Sequence, residues 1–125
     1  MEGSNHTHGV DGITLVDDEG GGSVVFHSFS WLEIIAAIIV RYARKSRNEA
    51  DALISSHPLI AQPVTNCTVA VLLSHELEFH WAMLIAHGEM YWRKGVSREL
   101  PPGYWAWEEN FRTEHRLAKE SFAWS

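Results

Sequence analysis

The apolar run that follows Ser30 constrains the fold more than any other part of this chain. Its large side chains recur at helical spacing and share one arc of a helical wheel, whereas Glu33 and Arg44 fall opposite. The arc consists of Trp31, Ile34, Ile35, Ile38, Ile39 and Tyr42. Ser30 and Glu33 have the spacing of a capping box, which predicts that a helix begins there. We expect this amphipathic helix over residues 31–55, either continuous or interrupted near Asn48.

Two further helices are predicted downstream. Thr65 or Asn66 can cap a long helix over residues 66–94, with Gly95 just beyond its C-terminal end. The sequence Pro-Pro-Gly at 101–103 interrupts the chain, and apolar residues at helical spacing after it predict a third helix over residues 104–122.

The N-terminal part of the chain carries two short β-rich runs. Residues 13–16 and 23–26 are separated by a loop that contains three glycines, which predicts a β-hairpin over about residues 13–29. A hairpin of this size is not stable alone and has to pack on helices. The fold class is therefore mainly α, a bundle-like domain of three to four helices with a small N-terminal β-hairpin.

The length of 125 residues and a hydrophobic share of 46% suit a single compact domain, which we expect over residues 13–125. Residues 1–12 are small and polar and predict a flexible tail. One cysteine and no recognisable secretion signal indicate a cytoplasmic protein. No apolar run approaches the roughly 20 residues that span a bilayer, so we expect no contact with a membrane.

Charge narrows the range of functions. The chain has 16 acidic and 10 basic residues, a formal net charge of −6, and five of the acidic residues lie in the first 24. The remainder is close to neutral, which argues against an acidic mimic of nucleic acid. The basic residues of segments 41–47 and 112–119 lie late in predicted helices, where the helix dipole favours cations. A nucleic-acid-binding regulator that uses these two segments is an alternative, although the dipole explains them more simply.

A stripe of acidic and histidine residues is predicted on the apolar face of the long helix. Glu76, His80 and His87 lie near the centre of that face, and the chain as a whole is rich in histidine. They can form a buried hydrogen-bonded network, which needs no cofactor. Alternatively, Glu76 and His80, one turn apart, could bind Zn or Fe or act in acid/base catalysis. His87 is about 10 Å further along the axis than His80, so one ion cannot take all three side chains.

Tryptophan is concentrated near the C-terminus, where five of the six tryptophans lie in the last 45 residues. Tryptophan and tyrosine either fill a small core or dominate the energetics of a protein interface. The candidate interface residues are Trp81, Trp92, Tyr104, Trp105 and Trp107. The sequence therefore favours a non-enzymatic protein-binding module, such as an adaptor, an inhibitor or an immunity-type partner. Its partner would be another protein or a second copy of this chain, and no catalytic residue is assigned.

Overall fold

The computed structural model describes residues 10–17 and 19–124. Helices dominate, and a small antiparallel sheet joins the two ends of the described chain. The strands are β1 (Ile13–Val16), β2 (Ser23–Phe26) and β3 (Phe122–Trp124). The helices are α1 (Ser28–Tyr42), α2 (Arg47–Ser56), α3 (Cys67–Ser74), α4 (Glu78–His87) and α5 (Tyr104–Glu114), with a short 3₁₀ helix at Tyr91–Lys94. The protein is thus mainly α with a small β element, rather than a clear bundle of three or four helices.

The sheet has the strand order β1-β2-β3, with both pairs antiparallel. The predicted hairpin is confirmed by the pairing of β1 with β2. The third strand is a correction, because the third helix was expected to continue to residue 122 and no strand was predicted at the end of the chain. Phe122 pairs with Phe26, and their rings stack with centroids 4.7 Å apart. This long-range contact outweighs the local helical pattern at the end of the chain.

Helix α1 is the centre of the core. It packs on α2, α4 and α5, and its residues are buried on nearly every side, so the expected polar face is confined to a few positions. A helix that is apolar all round belongs in the interior of a domain. Its first residue is Ser28, and its N-cap residue, His27, makes no side-chain capping bond.

Ser30 is not the predicted helix cap but links the N-terminal and C-terminal segments by hydrogen bonds. Its hydroxyl donates to Asp11 at 2.7 Å and accepts from the backbone N–H of Ala118 at 2.8 Å. Gly12 also donates its N–H to His27, so residues 10–12 are tied to the start of α1 instead of belonging to a flexible tail. The rest of that predicted tail, residues 1–9, lies outside the described residues.

The predicted first helix is two helices. Its break lies at 43–46, close to the alternative near Asn48, and a continuous helix over 31–55 is therefore wrong. Arg44 has a left-handed backbone with φ of 58° after α1 ends. Ser46 and Glu49 then form a complete capping box at the start of α2, with reciprocal hydrogen bonds of 3.0 and 2.9 Å.

The predicted long helix over 66–94 is also wrong. Asn66 caps α3 as expected, but the chain bends by 84° between α3 and α4. The indole of Trp81 donates to the carbonyl oxygen of Leu73 at 2.9 Å, so it satisfies a carbonyl that α3 leaves free at its end. Helix α4 ends at His87 and is followed by the C-cap residue Gly88, whose φ is 91°. Within residues 10–17 and 19–124, no helix taken singly has the length and apolar character to cross a membrane, and the bent pair α3–α4 meets the test by length and composition only.

Helix α5 ends at Glu114 rather than at residue 122. Leu117 N–H donates to Arg112 at 2.8 Å and Arg116 N–H donates to Thr113 at 3.2 Å, which together form a Schellman motif. Arg116 occupies the left-handed position of this motif, with φ of 57°. Glycine is the usual residue at that position, so the helix end was not recognisable from composition.

Candidate functional site

The five candidate interface residues separate into buried and exposed groups. Trp81 and Tyr104 are buried, and Trp107 is half-buried. Trp92 and Trp105 are 43% and 56% exposed. Trp92 and Trp105 are therefore surface aromatics, whereas Trp81 and Tyr104 lie in the core, so the five candidates do not share one exposed surface.

Tyr104 lies in an aromatic cluster between α1, α4 and α5. Its ring centroid is 5.4 Å from that of Phe79, 5.8 Å from that of Trp107 and 5.9 Å from that of Tyr42. Burial, followed by the hydrogen bond to Glu108, raises the pKa of the Tyr104 phenol far above its ordinary value. The hydroxyl therefore stays protonated and donates to Glu108.

Arg112 is a buried cation with only 4% of its surface exposed. Its Nε donates to Glu108 at 3.0 Å and its Nη2 donates to Glu78 at 3.1 Å. Nη1 donates to the carbonyl of Ala118 at 2.9 Å, and the hydroxyl of Ser121 donates to Glu78 at 2.6 Å. We call these residues, together with Tyr104, the Arg112 network. It fixes one face of α5 against α4 and the C-terminal segment.

A cavity of about 660 Å³ lies beside α5 and the segment that follows it. Its lining consists of Trp105, Glu108, Glu109, Arg112, Thr113, Arg116, Leu117 and Lys119. We call it the α5 groove. Because Glu108 and Arg112 belong to the Arg112 network, part of the lining is held in place by buried hydrogen bonds. The exposed Trp105 lies at the same groove.

The α5 groove carries a small positive charge. Glu108 and Arg112 form an ion pair at 3.0 Å, which leaves one carboxylate, Glu109, and two cations, Arg116 and Lys119. In the part of the chain that the structure describes, neither of these two cations has an ion-pair partner. The groove therefore differs in sign from the whole chain, whose formal net charge is −6.

A second, smaller cavity of about 220 Å³ lies between α4, the 3₁₀ helix and the following loop. Its lining consists of Glu76, His80, Trp81, Leu84, Tyr91, Trp92 and Arg98. We call it the Trp92 cavity. The guanidinium of Arg98 lies 4.7 Å from the centroid of the Trp92 ring and 3.8 Å from the carboxylate of Glu76. This cavity shares no lining residue with the α5 groove.

The structure brings Glu76 and His80 together but places His87 apart from them. Nδ1 of His80 lies 2.9 Å from Glu76, and Nε2 lies 3.1 Å from the carbonyl oxygen of Arg98. Glu76 is exposed rather than directed into the core, because it lies in the bend between α3 and α4 instead of on a helix. Burial and then the charges of Lys45 and Lys94 lower the pKa of His87. Among the residues described, no group of three or more His, Cys, Asp or Glu side chains could hold a metal ion.

Three of the basic residues in the segments proposed for nucleic-acid binding make intramolecular contacts. Arg41 lies over the rings of Tyr42 and Trp107, at 5.4 and 5.5 Å. Arg47 donates to Glu33 at 2.7 Å and to Asp51 at 2.9 Å. Arg112 is the buried centre of its network.

Sequence reasoning missed part of the Arg112 network. Glu78 was not among the candidate residues, yet it accepts hydrogen bonds from Arg112 and Ser121. Part of this network was recognisable from the sequence, because Tyr104, Glu108 and Arg112 follow one another at intervals of four and share one face of α5. Comparison with protein-family models, curated proteins and solved structures finds no match for this chain.

Proposed function

We propose that this protein is a non-enzymatic protein-binding module and that the α5 groove is its contact surface. One observation carries the proposal: Trp105 is 56% exposed beside a cavity of about 660 Å³. Tryptophan is among the residues most enriched at the energetic centres of interfaces, especially where it borders a pocket that a partner can fill. A partner that covers Trp105 removes a large apolar surface from water.

The rigidity of the groove supports this role. Glu108 and Arg112 keep fixed positions because Tyr104, Glu78 and Ser121 hold them by hydrogen bonds. A surface that is ordered before binding loses little conformational entropy when the partner docks. The binding energy of Trp105 is then available for affinity rather than for ordering the groove.

The charge of the groove indicates the chemistry of the partner. Arg116 and Lys119 outnumber the one free carboxylate, Glu109, so a partner segment with Asp or Glu beside an apolar side chain is complementary. Arg116 also keeps a left-handed backbone that favours glycine, so the chain retains a cation there at a cost in stability. We therefore propose an acidic segment of another protein as the occupant.

The proposal is tested by selecting 12-residue peptides from a random library on the full chain. Enriched peptides are expected to combine acidic with aromatic or aliphatic residues. Their affinity for the wild-type chain and for the Trp105→Ala variant is then measured by isothermal titration calorimetry. Loss of an interfacial tryptophan is expected to weaken binding by at least about tenfold.

Trp124→Ala is the matched control, because Trp124 is 52% exposed but lies on β3 and does not line the α5 groove. This variant is expected to bind the selected peptides like the wild type. Peptides that bind Trp105→Ala as well as the wild type would contradict the proposal. A concentration-dependent dimer in sedimentation experiments that disappears in Trp105→Ala would instead identify a second copy as the occupant.

A further inference from the structure

The hydroxyl of Tyr91 is a buried polar group without a hydrogen-bond partner in the described part of the chain. Tyr91 is 2% exposed and begins the 3₁₀ helix after α4. A buried hydroxyl that lacks a partner destabilises the folded state, because its hydrogen bonds to water are lost and not replaced. Native proteins rarely retain such a group without a reason, and a binding site for a polar ligand atom is one such reason.

The surroundings of Tyr91 distinguish it from the other unpartnered group. The indole nitrogen of Trp31 also lacks a partner in the described chain, but Trp31 lies in the core against Phe26 and Phe122. Tyr91, by contrast, lines the Trp92 cavity. Burial raises the pKa of Tyr91, Arg98 lowers it and Glu76 raises it, so the phenol lies within the electrostatic field of two charged residues of the same cavity.

The cavity also has a charged donor that is only loosely held. Arg98 stacks on Trp92, but its distance of 3.8 Å from Glu76 is longer than a hydrogen bond. His80 lies 2.9 Å from Oε1 of Glu76, whereas the oxygen near Arg98 is Oε2 of the same carboxylate. Arg98 therefore has N–H groups available to a ligand in the cavity that Tyr91 also lines.

The apolar residues that line the Trp92 cavity determine the chemistry of the rest of the ligand. Trp81, Leu84 and Trp92 supply an apolar lining, on which a flat ring can pack. Sites for drug-sized ligands have volumes of about 300–1,000 Å³, so a cavity of about 220 Å³ suits a molecule built on a single ring. A carbonyl or carboxylate oxygen on that ring can accept hydrogen bonds from both Tyr91 and Arg98.

We propose that the Trp92 cavity is a binding site for a small aromatic ligand that carries a carbonyl or carboxylate oxygen, which accepts a hydrogen bond from Tyr91. This site is independent of the proposed protein-binding function, because the two cavities share no lining residue.

The test uses three probes of similar size, namely benzamide, benzoate and toluene. Each is titrated to its solubility limit into the full chain with ¹⁵N-labelled tryptophan, and the indole N–H signals are followed by NMR. Benzamide or benzoate is expected to shift the Trp92 signal saturably, whereas Trp105 and Trp124 serve as internal controls and do not shift. Toluene, which has no acceptor, is expected to bind more weakly. No saturable shift of Trp92 with either benzamide or benzoate would overturn the proposal.

The variant Tyr91→Phe removes only the hydroxyl. It is expected to weaken binding of the oxygen-bearing probe by about two- to tenfold, the range of one hydrogen bond, without changing the affinity for toluene. Its melting temperature should equal or exceed that of the wild type, because it removes an unpartnered buried group. Equal affinity of Tyr91→Phe and the wild type for the oxygen-bearing probe would overturn the proposal. Trp105→Ala should bind the probes like the wild type, because Trp105 does not line the Trp92 cavity. The probe experiment therefore gives a clear result even if the protein-binding proposal fails.

Discussion

Nη2 of Arg112 lies 3.1 Å from Oε2 of Glu78, a residue 34 positions earlier in the chain. The same guanidinium donates to Glu108 through Nε, so one buried cation joins α4 to α5 and offsets part of the negative charge of two carboxylates, one from each helix. The side chains of Arg112 and Glu108 are 5% and 11% exposed, and water therefore contributes little to solvating either charge. Removal of the cation would leave two carboxylates close together without compensation.

Arg112→Met is predicted to destabilise the protein by about 3–5 kcal/mol, the usual cost of removing one partner of a buried ion pair. Methionine preserves most of the length of the side chain but provides no donor for Glu78, Glu108 or the carbonyl of Ala118. Urea unfolding followed by circular dichroism measures the change in the free energy of unfolding.

Arg116→Gln is the control for that measurement, because Arg116 is exposed on the same helix end and has no ion-pair partner in the described chain. We expect it to change the free energy of unfolding by less than about 0.5 kcal/mol. If Arg112→Met were no more destabilising than Arg116→Gln, the Arg112 network would not hold α5 in place.

The elements predicted correctly from the sequence are those that depend on local signals. The pairing of β1 with β2 follows from two β-rich runs and a glycine-rich loop, and Asn66 caps α3 as its position suggested. The core role of α1 follows from its density of isoleucines. In each case, the determining residues lie within about 15 positions of one another.

The elements predicted incorrectly depend on contacts that are distant in sequence. The bend between α3 and α4 contains neither glycine nor proline, and Trp81 stabilises it by donating to Leu73. Strand β3 exists because Phe122 stacks on Phe26. Glu78 directly follows this bend. A helix drawn straight through the bend turns Glu78 toward solvent rather than toward Arg112. The two cavities could therefore not be derived from the sequence.

Arg116→Gly is predicted to stabilise the protein while weakening the proposed binding of acidic peptides. Arg116 occupies the left-handed position at the end of α5, which costs a non-glycine residue roughly 1–2 kcal/mol. Part of this gain is offset because glycine makes the unfolded chain more flexible, so we expect a net gain of about 0.5–1 kcal/mol. Urea unfolding gives the stability, and calorimetry with the selected peptides gives the affinity.

Arg44→Gly provides the matched control for Arg116→Gly. Arg44 has φ of 58° at the equivalent position after α1, and it does not line the α5 groove. It should show a similar gain in stability with no change in peptide affinity. Equal loss of affinity in both variants would indicate a general effect of charge rather than a contact at the groove.

Ser46→Ala is predicted to cost about 1 kcal/mol of stability, because it removes the side-chain acceptor of the capping box that begins α2. Ser56→Ala is the comparison, since Ser56 lies at the other end of α2 and bonds only the carbonyl of Leu53. In thermal unfolding, the melting temperature of Ser46→Ala should be clearly lower than that of Ser56→Ala. A reversed order would mean that packing against α1, rather than the cap, determines the stability of α2.

The stability of the protein is predicted to decrease as the pH falls below about 6.5, the ordinary pKa of histidine. Burial lowers the pKa of His57, and the N–H groups of Leu59 and Ile60 both donate to its Nδ1 at 3.3 Å. The folded state therefore favours neutral His57, whereas the unfolded state binds the proton more readily. His87, whose pKa is also lowered, acts in the same direction. The stabilisation is complete above the unfolded pKa and is lost as the pH falls from the unfolded pKa to the lower folded pKa, because the unfolded state binds more protons in that range.

Unfolding by urea at several values between about pH 7.5 and about pH 5.5 measures this dependence. His57→Gln removes one titrating group and is expected to make the free energy of unfolding less dependent on pH. His87→Gln should do so independently, and the effects of the two substitutions should add, because no hydrogen bond or ion pair joins these histidines in the described chain. If His57→Gln retained the full pH dependence of the wild type, the buried imidazole of His57 would not contribute to that dependence.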